Sequence, residues 1–329
     1  MIEIVQTPPL NSVQDLGRFG ARHYGVGTSG AMDDVALATG NLLLGNPAGA
    51  AGIEIQMFPF KVKFRSDVAV AITGADCRAR LDGTLLPPWW STNARAGQSL
   101  VLQSPVSGAR SYLTIAGGVD VPVVLGSRST CLRIGYGGHR GRALEAGDRL
   151  ACGTASQARQ PHGGIGAEPP EVALAAAAVD GARDVTVLRV VPAAEHDAFP
   201  EASRRAFWQE AWIVSAQSNR MGFRLMGTPL HLDQPLEIRS SGIVPGIVQV
   251  PPSGQPIIQL RDANSAGGYP KIGVVIDADL WRLGQARPGA RLRFVSVTQQ
   301  QAATAQRETA TYLAEVETQA RLCRGDALS

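Results

Sequence analysis

VQVPPSGQPIIQLRDANSAGGYPKIGVVIDADL (248–280) carries the pattern on which the fold turns. Two apolar runs, PIIQL (256–260) and IGVVIDADL (272–280), flank a bend spelled NSAGGYPK (264–271). Short runs rich in Val and Ile, bounded by Gly, Pro, Asn or Asp, read as strands. The bend is not the Asn-Gly or Asp-Gly pair that two-residue hairpins prefer for its positive φ. It also sets a phenol and an ammonium group beside two glycines, so it is either a turn or a site.

Outward from this stretch the same grammar recurs. On its N-terminal side lie VTVLRVV (185–191), WIVSA, PLEIRS and IVQV, and on its C-terminal side ARLRFVSV. The first half of the chain holds GIEIQM, FKVKF, VAVAIT, SLVLQ and SYLTIAG, each closed by Gly, Pro, Asp or Ser. The fold class expected is mainly β, with few short helices. One helix is expected within SGAMDDVALATGNLLLGNP (29–47), at about 31–44, with Ser29 or Gly30 as its N-cap and Gly45 and Pro47 ending it. Another is expected near FPEASRRAFWQ. The tail from 299 to 329 places Ala302, Ala305, Leu313, Val316 and Ala320 at helical spacing. A polar, Pro/Gly-rich stretch at 154–171 reads as a linker. The expected division is therefore an N-terminal β domain (1–170), a C-terminal β domain (172–298) and a helical tail (299–329).

Composition narrows the function. The chain has 329 residues, 37 of them Gly and 21 Pro, and only 18% are charged, which favours strands and tight turns over a helical protein. Lys and Arg exceed Asp and Glu by 31 − 28 = 3 and are scattered, so neither nucleic acid nor a membrane surface is an expected partner. The four cysteines, Cys77, Cys131, Cys152 and Cys323, lack CxxC spacing. With no secretory leader at the start, a cytoplasmic location with free thiols is expected. No Walker loop, dinucleotide fingerprint, nucleophile elbow or biotinylation segment is present, and the five histidines lack ligand spacing, so no metal and no intrinsic cofactor are expected.

Five loops concentrate glycine and functional side chains. The first, 12–34, sets Gln14, Asp15, Arg18, His23 and Ser29 before a helix N-terminus that could hold an anion, although Asp15 pairing with Arg18 and Ser29 capping the helix explain it as well. The second, 72–83, puts Asp76 after a strand, where it could accept from a substrate or close an Asx turn. The third, 126–148, joins Ser127, Arg128, Ser129 and Thr130 to glycines and arginines suited to carboxylate or phosphate. The fourth, SAQSNRMGFRLMG (215–227), offers Ser218, Arg220 and Arg224; as i and i+4 of an extended strand, the two arginines would share a face. The fifth, 248–273, places Gln249, Gln255, Asp262, Asn264, Tyr269 and Lys271 at strand ends around Gly267 and Gly268.

Taken in order, SVQDLGRFGARHYGVGTSGAMDDVALATGNLLLGNP, ITGAD, RSYLTIAGGVDVPVVLGSRST, SNRMGFRL, VQVPPSGQPI and GGYPKIGVVIDADL resemble the allophanate hydrolase subunit 2 family, from about residue 3 to 297. That family includes the C subunits of 5-oxoprolinase (KipA proteins) and the biotin-dependent carboxyltransferase part of urea carboxylase. The resemblance implies a pair of cyclophilin-like β-barrel units. It implies two partners: a sister B-type subunit (the KipI, or allophanate hydrolase subunit 1, type) and a metal-dependent A-type subunit of the LamB/YcsF kind. With them, ATP used by the complex would open 5-oxo-L-proline to L-glutamate. In the carboxyltransferase alternative, biotin carried on a partner would pass a carboxyl group to urea or a related amide. A third alternative is a non-catalytic regulatory module that antagonises a kinase inhibitor. Three phrases depart from the family pattern: SNRMG where SDRMG is usual, DANSAGGYP where DRQTTGGYP is usual, and Ala193-Ala194-Glu195 where Gly-Pro-Gln is usual.

Combined with the loops, the expectation is a small anionic amide substrate. Lys271, Tyr269 and Asp262 are the catalytic candidates, a cation beside backbone N–H groups being suited to charge on an amide oxygen. Arg220, Arg224, Ser218, Gln249, Gln255, Gly267, Gly268, Asn264, Ser29 and Asp76 are the candidates for binding.

Overall fold

The structure is a computed structural model that describes residues 1–154, 160–174, 185–234, 236 and 238–325. The chain divides into two compact units, one of Met1–Phe19, Ser29–Ala175 and Ala310–Ser329, the other of Gly20–Thr28 and Ala176–Thr309. The 154–171 stretch lies partly outside the described residues, and its described part supplies the short strand Ile165–Gly166, paired with Trp90–Ala94. PLEIRS (235–240), expected as a strand, also lies partly outside them. The tail forms the helix Gln299–Arg324.

In the first unit, alternation in sequence becomes alternation in burial. Phe60, Val62 and Phe64 of FKVKF are fully buried, whereas Lys61 and Lys63 are half-buried. Register extends that face to both neighbours: Ile2 lies opposite Phe64 and Ile4 opposite Val62, while Leu102 faces Phe60 and Leu100 faces Val62. This layer belongs to a seven-stranded sheet, and a six-stranded sheet centred on the paired strands Val68–Asp76 and Ser107–Ile115 completes the unit.

The helix Asp34–Leu43 has nine buried residues, and Gly40 lets it approach the second sheet closely. A Cβ at Gly40 would stand 2.8 Å from Thr114 Oγ1. The cap is Asp33, whose carboxylate accepts from the Ala36 amide at 2.8 Å, and not Ser29 or Gly30. Asp33 precedes the first helical residue, the position from which a carboxylate reaches the free N–H groups of the first turn. Beside it Tyr112 donates to Glu54 (2.8 Å), and burial, with the Glu54 charge, pushes its phenol well above its ordinary value.

The second unit is a closed barrel of seven strands. Going around it, Val185–Pro192 pairs with Lys271–Val275, which pairs in turn with Ile247–Gln249. Ile257–Gln259, Gly222–Met226, Trp212–Val214 and Arg291–Ser296 follow. The last strand meets the first in parallel and closes the ring. Val190, Trp212, Phe223, Val248, Ile258 and Phe294 fill the interior, each at most 3% exposed. No helix among the described residues is long and apolar enough to cross a membrane.

Candidate functional site

Which side chains leave the barrel follows from which ones fill it. Phe223, Val248 and Ile258 point inward, so their neighbours Gly222, Arg224, Gln249, Ile257 and Gln259 stand on the outer face. Register aligns Arg224 with Ile257, Ile257 with Gln249, and Gln249 with Lys271. Residues paired across strands share a face. Three neighbouring strands thus present one row, Arg224, Ile257 and Gln249, and the ladder to the fourth strand bulges between Val248 and Gln249, which brings Lys271 opposite Gln249.

The bend NSAGGYPK folds over this row. Ala266–Gly267 pairs with Ser241–Gly242 as a two-stranded flap. Gly267 is required by the close approach: a Cβ there would lie 2.4 Å from Ile243 Cδ1 and 2.9 Å from Gln249 Nε2. Between flap and barrel lies a cavity of about 240 Å³. Met221, Ile243 and Ile257 give it apolar walls, and Arg224 and Tyr269 bring a charge and a phenol. Its remaining polar lining is amide: Gln217, Asn219, Gln249, Gln259 and Asn264. Among the described residues no carboxylate, imidazole or thiol lines it.

The structure brings together six of the residues named from sequence: Arg224, Gln249, Asn264, Gly267, Gly268 and Tyr269. Lys271 is opposite Gln249 across the bulge and outside the cavity lining, its Nζ donating to Ser241 Oγ of the flap at 2.8 Å. Arg220 is placed differently from the expectation that it shares an extended face with Arg224. It sits in the turn before the strand, where its guanidinium meets the Asp262 carboxylate at 2.9 and 3.2 Å, both side chains at most 7% exposed. The Asp262 amide also donates to the Arg220 carbonyl, so the turn and the ion pair form one buried brace. Ser218 accepts from the Arg224 amide and Gln255 bonds both backbone groups of Gly227, and these contacts hold the two ends of the strand Gly222–Met226.

Ser29 and Asp76 belong to the first unit. Ser29 is fully buried with φ 51°, and Asp76 accepts from the Arg78 amide at 3.0 Å, the Asx turn that was its plainer reading. The first and third glycine-rich loops satisfy each other. Asp15 accepts from the hydroxyls of Ser127 and Ser129 and from the amides of Gly17 and Arg128. Arg18 does not pair with Asp15; it donates to the carbonyls of Val124 and Ser129 and lies over the Tyr136 ring, 4.7 Å from its centroid.

Sequence reasoning left out Gln217, Asn219 and Gln259 as lining residues. Their signal was present: Gln259 is an amide inside an otherwise apolar run, and Asn219 is one of the departures from the family phrase. A second departure, Asn264, also faces the cavity.

Residues 24–296 match the family described as carboxyltransferase domain, subdomain A and B. The chain is 40% identical over 316 residues to the C subunit of 5-oxoprolinase from Escherichia coli, covering 96% of this chain and 97% of that protein. It is 30% identical to urea amidolyase of Saccharomyces cerevisiae over 90% of this chain, but spans only 17% of that protein. Urea carboxylase of Kluyveromyces lactis superposes with a TM-score of 0.83 and 26% identity, over 96% of this chain and 29% of that one.

Proposed function

Because this chain belongs to the carboxyltransferase subdomain A and B family, we propose that it is the C-type subunit of a cytoplasmic 5-oxoprolinase complex. It would act with a sister B-type subunit and a LamB/YcsF-type partner to open 5-oxo-L-proline to L-glutamate at the expense of ATP. The observation that carries this reading is the 40% identity to a 5-oxoprolinase C subunit along almost the full length of both chains. The cavity is consistent with it. A space of about 240 Å³ suits a small ring, Arg224 suits a carboxylate, and amides suit a lactam.

In this reading Arg224 holds the substrate carboxylate, and Gln249 meets the amide group. Tyr269, at the exposed edge of the cavity, hydrogen-bonds the ring. Lys271 approaches the amide oxygen when the flap moves and Ser241 releases it, stabilising negative charge that develops there. Asp262 acts through Arg220, by keeping the turn that presents Arg224 in place. ATP is used by the assembled complex.

The test is the chain purified with its genomic partners and assayed for ATP-dependent release of glutamate from 5-oxo-L-proline. Release that falls at least about a hundredfold in Lys271→Ala is the expected result, a loss typical of removing one charge-stabilising donor. No release by the wild-type complex overturns the proposal. The urea amidolyase and urea carboxylase relatives give weight to one alternative, transfer of a carboxyl group to an amide from biotin carried on a partner. Incorporation of bicarbonate into urea by the same preparation would favour it.

A further inference from the structure

Two of the five amides in the cavity are bonded to each other. Gln259 Nε2 donates to Gln249 Oε1 at 2.9 Å, and Gln249 Nε2 donates to the Tyr269 carbonyl at 3.4 Å. These bonds fix which way round each amide lies. If Gln249 were turned over, its nitrogen would face the Gln259 nitrogen and its oxygen the Tyr269 carbonyl, donor against donor and acceptor against acceptor. Gln249 is only 3% exposed, so a turned amide would not find water in exchange. The pair therefore leaves one acceptor and one donor, the Gln259 carbonyl oxygen and the second N–H of Gln249, on two residues that line the cavity.

We infer that this glutamine pair selects the cis form of an amide, and that Gln259 is a specificity-determining residue of the site. A cis amide, as in a lactam, a cyclic urea or the edge of urea itself, shows N–H and C=O side by side. It can give its N–H to Gln259 Oε1 while its oxygen receives the N–H of Gln249. A trans secondary amide shows the two groups on opposite edges and satisfies only one of the pair, leaving a buried polar atom without a partner. The inference rests on the reading that this cavity holds the amide substrate, and adds to it the geometry by which the amide is recognised.

The experiment uses the assembled complex and three probes: 5-oxo-L-proline, 2-imidazolidinone and N-acetylglycine, the last a monoanion of similar size with a trans amide. Binding of each is measured by calorimetry for the wild type and for Gln259→Leu and Gln259→Glu, with 5-oxo-L-proline turnover alongside. The wild type is expected to bind 5-oxo-L-proline at least about tenfold more tightly than N-acetylglycine, the scale of one unmade buried hydrogen bond. Gln259→Leu is expected to raise KM for 5-oxo-L-proline about tenfold with kcat within about twofold, the signature of lost uniform binding, and to erase the preference. Gln259→Glu keeps the volume but cannot donate to Gln249, and is expected to lose the preference too. It serves as the readout if the leucine variant does not fold.

A wild type that binds N-acetylglycine as tightly as 5-oxo-L-proline overturns the inference, as do variants with unchanged KM and preference; both leave the 5-oxoprolinase reading standing. Tight binding of 2-imidazolidinone without binding of 5-oxo-L-proline overturns that reading and supports the inference. Binding of neither cis amide overturns both.

Discussion

Arg220 and Arg224 are four residues apart and have different tasks. Arg224 lies on the strand, exposed, and lines the cavity; Arg220 is in the turn before it and is 6% exposed. The difference was not legible from spacing, because the i and i+4 argument holds only if the strand already includes Arg220, and the Asn219–Gly222 turn prevents that. Asp262 was legible as important but not for its reason: it neutralises a buried guanidinium 42 residues away in the chain. Taking one partner from a buried ion pair leaves a charge without compensation, which costs about 3–5 kcal/mol. Asp262→Ala should therefore lose that much stability in urea unfolding and, as the turn that presents Arg224 loosens, weaken binding of the proposed substrate, 5-oxo-L-proline. Normal stability with lost binding would instead place Asp262 in contact with the ligand.

At the scale of elements, local signals served where periodicity alone decides the element. The FKVKF alternation, the helix at 34–43 and the helix Glu201–Gln209 were all readable, since each is decided by periodicity within a few residues. The helix cap was readable only in part, because Ser29 and Asp33 are both good caps and the true first turn selects between them. The flap was the least readable element. Its two strands are only two residues each, and what identifies it is Gly267, whose missing Cβ makes room for Ile243 and Gln249. Gly267→Ala puts a methyl where those side chains stand, so the flap must lift or Gln249 must turn. The expected outcome is near-normal thermal stability, because the flap lies outside the barrel core, with substrate affinity down at least about tenfold, the scale of a lost hydrogen bond plus strain. An unchanged affinity would show that the flap is no part of the site.

Across the whole molecule, acid sensitivity has a definite origin in the first unit. Asp148 receives both terminal nitrogens of Arg142 at 2.8 Å, the Glu145 amide at 2.8 Å, and lies 3.3 Å from His139. The Arg142 hydrogen bonds lead in lowering its carboxyl from 3.8 to about 2, against the opposing effect of burial. A carboxyl lowered in the folded state contributes stability above its unfolded value and loses it as pH falls through the folded one. Stability should hold above pH 4 and decline between about 4 and 2, and Asp148→Asn should flatten that part of a plot of urea midpoint against pH. A variant with the same acid slope as the wild type would assign the effect to other carboxylates. Barrel closure is the other property of this scale, and no window of sequence displays it. The two strands that meet, Val185–Pro192 and Arg291–Ser296, are each ordinary strand-like runs, and nothing local records that they pair, or that they do so in parallel.

That pairing also sets the order in which the second unit can come into being. Val185 is matched with Arg291, a separation of 291 − 185 = 106 residues, and the five other barrel strands lie between them in the chain. Contacts so distant along the chain make loop closure expensive before any of it is repaid, and so slow the search for the native state. On a ribosome the first strand must wait, its edge unpaired, until nearly all of the unit has emerged. During that interval Val187 and Val190 are exposed to whatever else can add a strand, and the interval is set by the rate of translation rather than by any contact in the finished barrel.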